Sequence, residues 1–456
     1  MLALSLSKYR CAFFMAVYCR VGSIQIERSP VTTNKISKTR YILGGGGGHL
    51  LVGSRATPDF GRAGSTCMTI RQWSTTHGVQ TSGEVCKWHT TCLENMRQMS
   101  SRTKPLRYVQ VITAHNKSEP LFLMVTHSAV HSGNPNEFIR APDSEIDKFK
   151  HIENYQRRKF AAVLSKLDQS VGKVVESLHG AGMLQDTIIL FTTDNGGPAA
   201  GFNDNAASNY PLRGVKATLW EGGVRGAGLL WSPLLQARAR VASQLVHIVD
   251  WLPSLISAAG GDASLLQNID GLDLWNELSK DQPSKRTSVL HNIDDKEGSA
   301  ITMDNWKLHK GTSYKGAWDS WYGPAGRNGS YDLDAVYQGK VAAILSKMGL
   351  MPTREKAGLL RKAATLQCSS DPEVVCRPLE YPCLFDIRTD PCERINLASK
   401  NPQIVQRLLE ELRIFNQSVV PPNNMPDDTR GDPKFWGRVF TNFGDYENNG
   451  SYLQCS

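Results

Sequence analysis

The chain has 456 residues and a formal net charge of +9, with 40% hydrophobic and 21% charged residues, an ordinary globular composition with enough apolar material for more than one domain. No window offers the roughly 18 consecutive apolar residues that a membrane helix needs, so no membrane span is expected. The charge does not point to nucleic acid: residues 1–106 carry 14 Lys and Arg against 4 Asp and Glu, leaving 38 against 39 in the rest, so the basic excess belongs to the N-terminal part alone.

Residues 1–106 hold the low-complexity tract GGGGG at 44–48 and no sustained helical or alternating period, and the stretch is left without an assigned fold. The apolar run CAFFMAVY (11–18) is only eight residues long between Lys8, Arg10 and Arg20 and makes a poor signal peptide. The pattern sharpens from about Arg107. PLFLMVTHSAVH (120–131) reads as a strand ending in polar residues and histidines. In the following stretch Phe160, Val163, Leu164, Leu167, Val171, Val174, Val175 and Leu178 recur at three- and four-residue steps, which predicts an amphipathic helix stopped by Gly180 and Gly182. DTIILFTTD (186–194) is a continuous β-branched and aromatic run, the pattern of a strand buried on both faces. Strand, helix and strand form a βαβ unit, whose chemistry is expected at the carboxyl ends of the strands, where His131 and Asp194 fall.

Beyond it, residues 245–260 read as a strand end or turn into a helix, and 271–279 as a short helix after a loop. From about 286 the texture changes to short strands at 288–294, 299–311 and 383–391, with a late amphipathic helix at 402–419. The expected organisation is an unassigned segment 1–106, an α/β part at 107–285 and a smaller α+β domain at 286–456. The ten cysteines lie at 11, 19, 67, 86 and 92 and at 368, 376, 383, 392 and 455. The second group lacks the CxxC pairs of a zinc site and reads as disulfides, with three pairings open among Cys368, Cys376, Cys383 and Cys392. Four N-x-S/T sequons, at Asn116, Asn328, Asn416 and Asn449, agree with a glycosylated protein of a secretory or lysosomal route.

The candidate chemistry begins at TTDNGG (192–197). Asp194 and Asn195 are two hard oxygen ligands of the kind Ca²⁺ prefers, and the glycines permit close backbone approach, although Asn-Gly is also a common turn and two ligands are not a whole site. YPLRGVKATLWEGGVRG (210–226) then brings Arg213 and Lys216, two cations suited to neutralising the oxygens of a sulfate or phosphate ester as its bond breaks.

TTDNGG followed by PLRGVKATLWEGGVRG resembles the second half of a type I sulfatase, with the nearest likeness to the arylsulfatase B group. The likeness runs from VQVITAHNKSEPLFLMVTHSAVH through LVHIVDWLPSLISAAG, LHNID and WKLHKG to CLFDIRTDPCERINLASKNPQIVQRLLEEL, about residues 107 to 445. It implies an alkaline-phosphatase/sulfatase-like α/β fold: a mixed, mainly parallel sheet flanked by helices, with a smaller C-terminal α+β domain. It further implies hydrolysis of sulfate esters on sulfated carbohydrates or aryl sulfates. Asp194 and Asn195 then fall on calcium ligands, and Lys216 and His131 on the residues that contact the substrate sulfate, whereas His127 matches nothing and reads as structural.

Two pieces of that family pattern are missing: an Asp-Asp pair at the end of the first strand, and C-x-P-x-R, whose cysteine becomes the formylglycine nucleophile. The nearest stretch is CMTIR (67–71), with Thr69 at the Pro position. ATPDF (56–60) precedes it and CKWHTT (86–91) follows, placing Lys87 and His89 as remnants of a further family segment at far too short a spacing. The expected consequences are an incomplete Ca²⁺ site, impaired catalysis, and a sheet left with an unpaired edge. A wrongly joined first segment and a diverged chain that has lost its catalysis both explain the gap. The rival function is a non-catalytic secreted protein that keeps a pocket for sulfated glycans.

Overall fold

The computed structural model describes the strands at 11–18 and 41–44 and residues 107–133, 138–294, 296–323, 331–421, 428–436 and 444. The motifs at 56–91, with Cys67, Lys87 and His89, lie outside these residues.

The buried run of the βαβ unit is strand β4, Thr187–Thr193, in which six of seven residues are buried. Ile188 and Leu190 project to one face and Ile189 and Phe191 to the other, as a period of two requires. The first strand of the unit, β3 (Leu121–Val130), precedes the long helix α2 (Tyr155–Gly180). Asn154 caps α2 by accepting from the Arg157 backbone N–H at 2.9 Å, and the chain leaves it through Gly182 at φ 69°. Phe160, Leu167, Val171, Val174 and Leu178 pack α2 and the shorter α1 (Arg107–Ala114) against one face of the sheet. The opposite face, through Ile188 and Leu190, receives Leu255 and Trp251 of α3 (Trp251–Ala258) and Trp275 of α4 (Trp275–Lys280). Helix, sheet and helix thus form three layers.

The sheet order is β2-β3-β1-β4-β5, with β1 at Cys11–Tyr18, β2 at Tyr41–Gly44 and β5 at Gly228–Trp231. Two strands from the unassigned segment therefore enter it. CAFFMAVY is the central strand, antiparallel to both β3 and β4, so the edge expected to be unpaired is filled. Its eight apolar residues are what a strand between two buried neighbours needs. The insertion also changes the strand directions. β3 and β4 run parallel to each other, as the βαβ unit demands, but of the four pairings only β2 with β3 is parallel.

The C-terminal part builds its own antiparallel sheet, β6-β7-β8-β9, from Ser288–Asn292, Ser299–Met303, Trp306–Lys310 and Cys383–Asp386. Of the helices beyond α4, α5 (Lys340–Lys347) leans on the first core, and α6 (Arg354–Ala363) is a further surface helix. Leu408 and Leu412 of α7 (Pro402–Asn416) cover one face of the second sheet over Ile301, Leu308 and Leu384. The disulfides Cys368–Cys392 and Cys376–Cys383 settle the pairing that the sequence leaves open. Mixed helix and sheet with a separate C-terminal sheet is the α/β architecture expected.

Candidate active site

The ends of β3 and β4 lie level at one edge of the first sheet, because β1 pairs Cys11 with Val130 and Ala12 with Thr193. His131 and Asp194 each follow the last residue of their strand, two strand spacings or roughly 10 Å apart. The loop that follows β4 is bonded to the end of β3: Asn205 Nδ2 donates to Ser132 Oγ at 3.2 Å, while Ser132 Oγ donates to the Asn203 carbonyl at 3.0 Å. His131 Nδ1 lies 2.6 Å from the Ser132 carbonyl, which can only accept, so this nitrogen carries the proton.

Asp194 is exposed, and its Oδ1 accepts from the Asn195 backbone N–H and Nδ2, both at 2.8 Å. Gly196 and Gly222 are there for closeness. A Cβ on Gly196 would stand 1.7 Å from the Gly222 carbonyl oxygen, and one on Gly222 would stand 2.4 Å from those of Arg213 and Gly214. The Gly196 N–H donates to the Gly223 carbonyl at 2.8 Å, and Asn209 bridges the same turn, accepting from the Gly197 N–H at 2.8 Å and donating to its carbonyl at 2.7 Å. The Lys216 N–H donates to the Gly197 carbonyl at 3.3 Å. The DNGG turn and the Lys216 loop are thus one backbone-bonded unit at the strand ends.

The second cation expected there, Arg213, is elsewhere. Its guanidinium lies between the rings of Trp220, at 3.8 Å, and Trp321, at 4.6 Å, and donates to the Asp319 carbonyl at 2.7 Å and the Glu393 carbonyl at 3.3 Å. It is buried and ties the loop to the C-terminal part. The fit to a metal is also partial. Among the described residues no group of three or more His, Cys, Asp or Glu side chains converges, and Asp194 with Asn195 supplies two of the six or more oxygens that Ca²⁺ takes. Because β1 runs antiparallel, its amino end, Cys11, reaches the site edge, so its carboxyl end cannot deliver acidic residues there. On these residues the set falls short of a calcium site.

A group that the sequence does not reveal lies beneath the Lys216 loop. Lys307 of β8 is fully buried, with Nζ 2.9 Å from Glu221 Oε1 and 2.9 Å from Glu393 Oε1. Glu393 Oε2 accepts from the Glu221 backbone N–H at 2.7 Å. Burial alone would raise the Glu221 carboxyl, but Lys307 and then Arg225 outweigh it and hold it at about 2. Burial pushes Glu393 up to about 7, and Lys307 opposes this only in part while Glu221 adds to it. Burial would lower Lys307, but the two carboxylates prevail and keep the ammonium charged. Alternation along β8 could have flagged Lys307 and His309 as sharing one face with each other, but nothing local names their partners.

Residues 55–261 match the Sulfatase family. Arylsulfatase J of Mus musculus is 33% identical over 354 residues, covering 73% of this chain and 51% of the relative. N-acetylgalactosamine-6-sulfatase of Mus musculus is 28% identical over 228 residues, covering 49% and 40%. The chain belongs to the type I sulfatase family. The chain spans about half the length of arylsulfatase J and less of N-acetylgalactosamine-6-sulfatase. The solved PsFucS1 sulfatase from Pseudoalteromonas sp. is 18% identical, with a TM-score of 0.45 over 71% of this chain and 52% of that one. The family match begins at residue 55, upstream of the 107 at which the sequence resemblance starts, and so takes in ATPDF, Cys67, Lys87 and His89.

Proposed function

We propose that this chain is a sulfuric ester hydrolase by descent, acting on sulfated sugars or aryl sulfates in the manner of the arylsulfatase B group, with turnover impaired because C-x-P-x-R is absent. Sulfate-ester hydrolysis is the chemistry of the family, and the relatives named above include an arylsulfatase and a sugar sulfatase. The observation that carries the site assignment is the hydrogen bond from Lys216 N–H to Gly197, which seats a cationic residue two positions from Asn195 at the strand ends. In this reading Lys216 and His131 hold the sulfate oxygens and offset the charge that builds as the S–O bond breaks. Asp194 and Asn195 are the share of the calcium ligands that the chain retains, and bound calcium would add a Lewis acid on the sulfate.

Two disulfides and the exposed sequons at Asn116 and Asn416 support folding in an oxidising compartment, hence a secreted or lysosomal glycoprotein. No helix among the described residues is long and apolar enough to cross a membrane. The second reading, a non-catalytic binder of sulfated glycans, is favoured by the absence of both C-x-P-x-R and an Asp-Asp pair before Asp294. Assaying the purified chain with an aryl sulfate tests whether any turnover survives. The expected result is no release of the phenol above buffer. Turnover that disappears on Cys67→Ala would mean that the degenerate motif still yields a nucleophile.

A further inference from the structure

The Lys216 loop is pinched at its neck, while its head is also bonded, to Gly197 through the Lys216 N–H and to Ser313, whose Oγ donates to the Ala217 carbonyl at 2.5 Å. The Gly222 N–H donates to the Arg213 carbonyl at 2.6 Å, closing residues 213–222 into a pinched loop with Lys216 in its head. Each side of that neck is tied to the C-terminal part. The Arg213 guanidinium donates to the Glu393 carbonyl, and the Glu221 backbone N–H donates to the Glu393 carboxylate. Lys307 then bridges Glu221 and Glu393 from β8.

Buried ion pairs seldom add net stability over apolar residues of the same volume, so what this cluster contributes is sought in geometry. Glu393 adds a second sign of it: a non-glycine residue at φ 53°, in the left-handed region, held there beside the disulfide-bonded Cys392. The chain accepts an unfavourable backbone at the one residue whose carbonyl and carboxylate meet both sides of the neck. The titratable groups facing the cluster are the charged Arg213 and Arg225 from the loop and its following turn, and the neutral His291 and His309 from the second sheet.

We propose that Glu393, with Lys307 and Glu221, is a positioning device for Lys216, transmitting the docking of the C-terminal sheet to the anion-binding loop of the first domain. The inference rests on the reading of Lys216 as a sulfate contact. It makes Lys216 geometry depend on side chains that touch no substrate.

The test is to titrate inorganic sulfate into the full chain and into its Lys216→Ala, Glu393→Asp and Glu393→Gln forms, with amide hydrogen exchange on the same samples. Glu393→Asp keeps the charge but draws it back by one methylene. The expected result is at least tenfold weaker sulfate binding in all three. In the two Glu393 forms the Glu221 and Gly222 amides should exchange at least tenfold faster, with the amides of β7 and β8 unchanged. Where a single variant fails to fold, the charge-balanced pair Lys307→Met with Glu393→Gln takes its place in the same comparison. Sulfate affinity lost in Lys216→Ala but kept in the Glu393 variants overturns the positioning role alone, as does exchange that quickens equally throughout β7 and β8. A wild-type chain that takes up no sulfate, or a Lys216→Ala form that binds as well as wild type, removes the reading beneath it as well.

Discussion

Gly196 shows how narrow the tolerance is at the strand ends. Its hydrogen position faces the Gly222 carbonyl, which a Cβ would meet at 1.7 Å, and the obstacle is backbone that is itself bonded to Arg213. No rotamer can relieve that contact, so the turn and the Lys216 loop must separate. Gly196→Ala is expected to cost about 3 kcal/mol or more, toward the severe end of single substitutions, read as a fall in the denaturant midpoint at unchanged slope. Gly180→Ala serves as the control, since a Cβ there meets nothing within 4 Å. Equal stability of the two variants would show that the loop is not clamped to the turn. Arg213 carries the complementary lesson: a positive charge near an anion site is a substrate ligand only if its side chain turns that way. Two tryptophan faces and two carbonyls turn this one inward.

Among elements, the periodic ones are where the sequence places them. The helix predicted from Phe160 to Leu178 is α2, the runs at 299–311 are the β7–β8 hairpin, and 402–419 contains α7. The strand least expected is β1, because an isolated apolar octet states that it will be buried and not where. The C-terminal loops depend on cross-links. Cys368–Cys392 spans 24 residues and fixes the segment that ends one residue before Glu393, and closing a loop of that length stabilises by about 3 kcal/mol in the chain-entropy account. Cys368→Ser with Cys392→Ser should lower the stability by about that amount and quicken exchange of the Glu221 amide. A double variant that melts with the wild type would mean that packing alone holds the segment.

Across the whole molecule, buried ionisable groups set how stability follows pH. Burial lowers His127 to about 4, and burial followed by Lys307 lowers His291 to about 3. Burial, then Lys307 and Arg213, hold His309 well below its ordinary value too. A depressed histidine contributes stability that is full above about 6.5 and lost as pH falls through its folded value, on the order of 3 kcal/mol for His127. Glu393 acts in the opposite sense: raised to about 7 from its ordinary 4.5, it stabilises fully below 4.5 and loses that contribution as pH rises through 7. Burial also lowers His247, and it raises Asp168 and Asp390 from their ordinary values. The four histidines outweigh the three carboxyls between about pH 4.5 and 6.5, so the thermal midpoint should climb over that range and then level or fall. His127→Leu should flatten the acid side. A midpoint that rises steadily on acidification from 6.5 to 4.5 would contradict this balance, and calorimetry over that range decides it.

What the sequence determined by itself is what short-range pattern can encode: strand, helix and buried strand around residues 120–194, the cysteines that cross-link, the glycines that mark close approach, and the sulfatase kinship carried by TTDNGG and PLRGVKATLWEGGVRG. Each is a matter of neighbours within a few turns of chain, where periodicity and turn chemistry are local properties. The tertiary structure alone decided which cation turns inward, that CAFFMAVY completes the first sheet against its neighbours' direction, and that Lys307, Glu221 and Glu393 meet at all. Those contacts join residues 86 and 172 positions apart. Their formation depends on the docking of two sheets, and a buried charge shows its partner only once desolvation has made an unpaired one untenable.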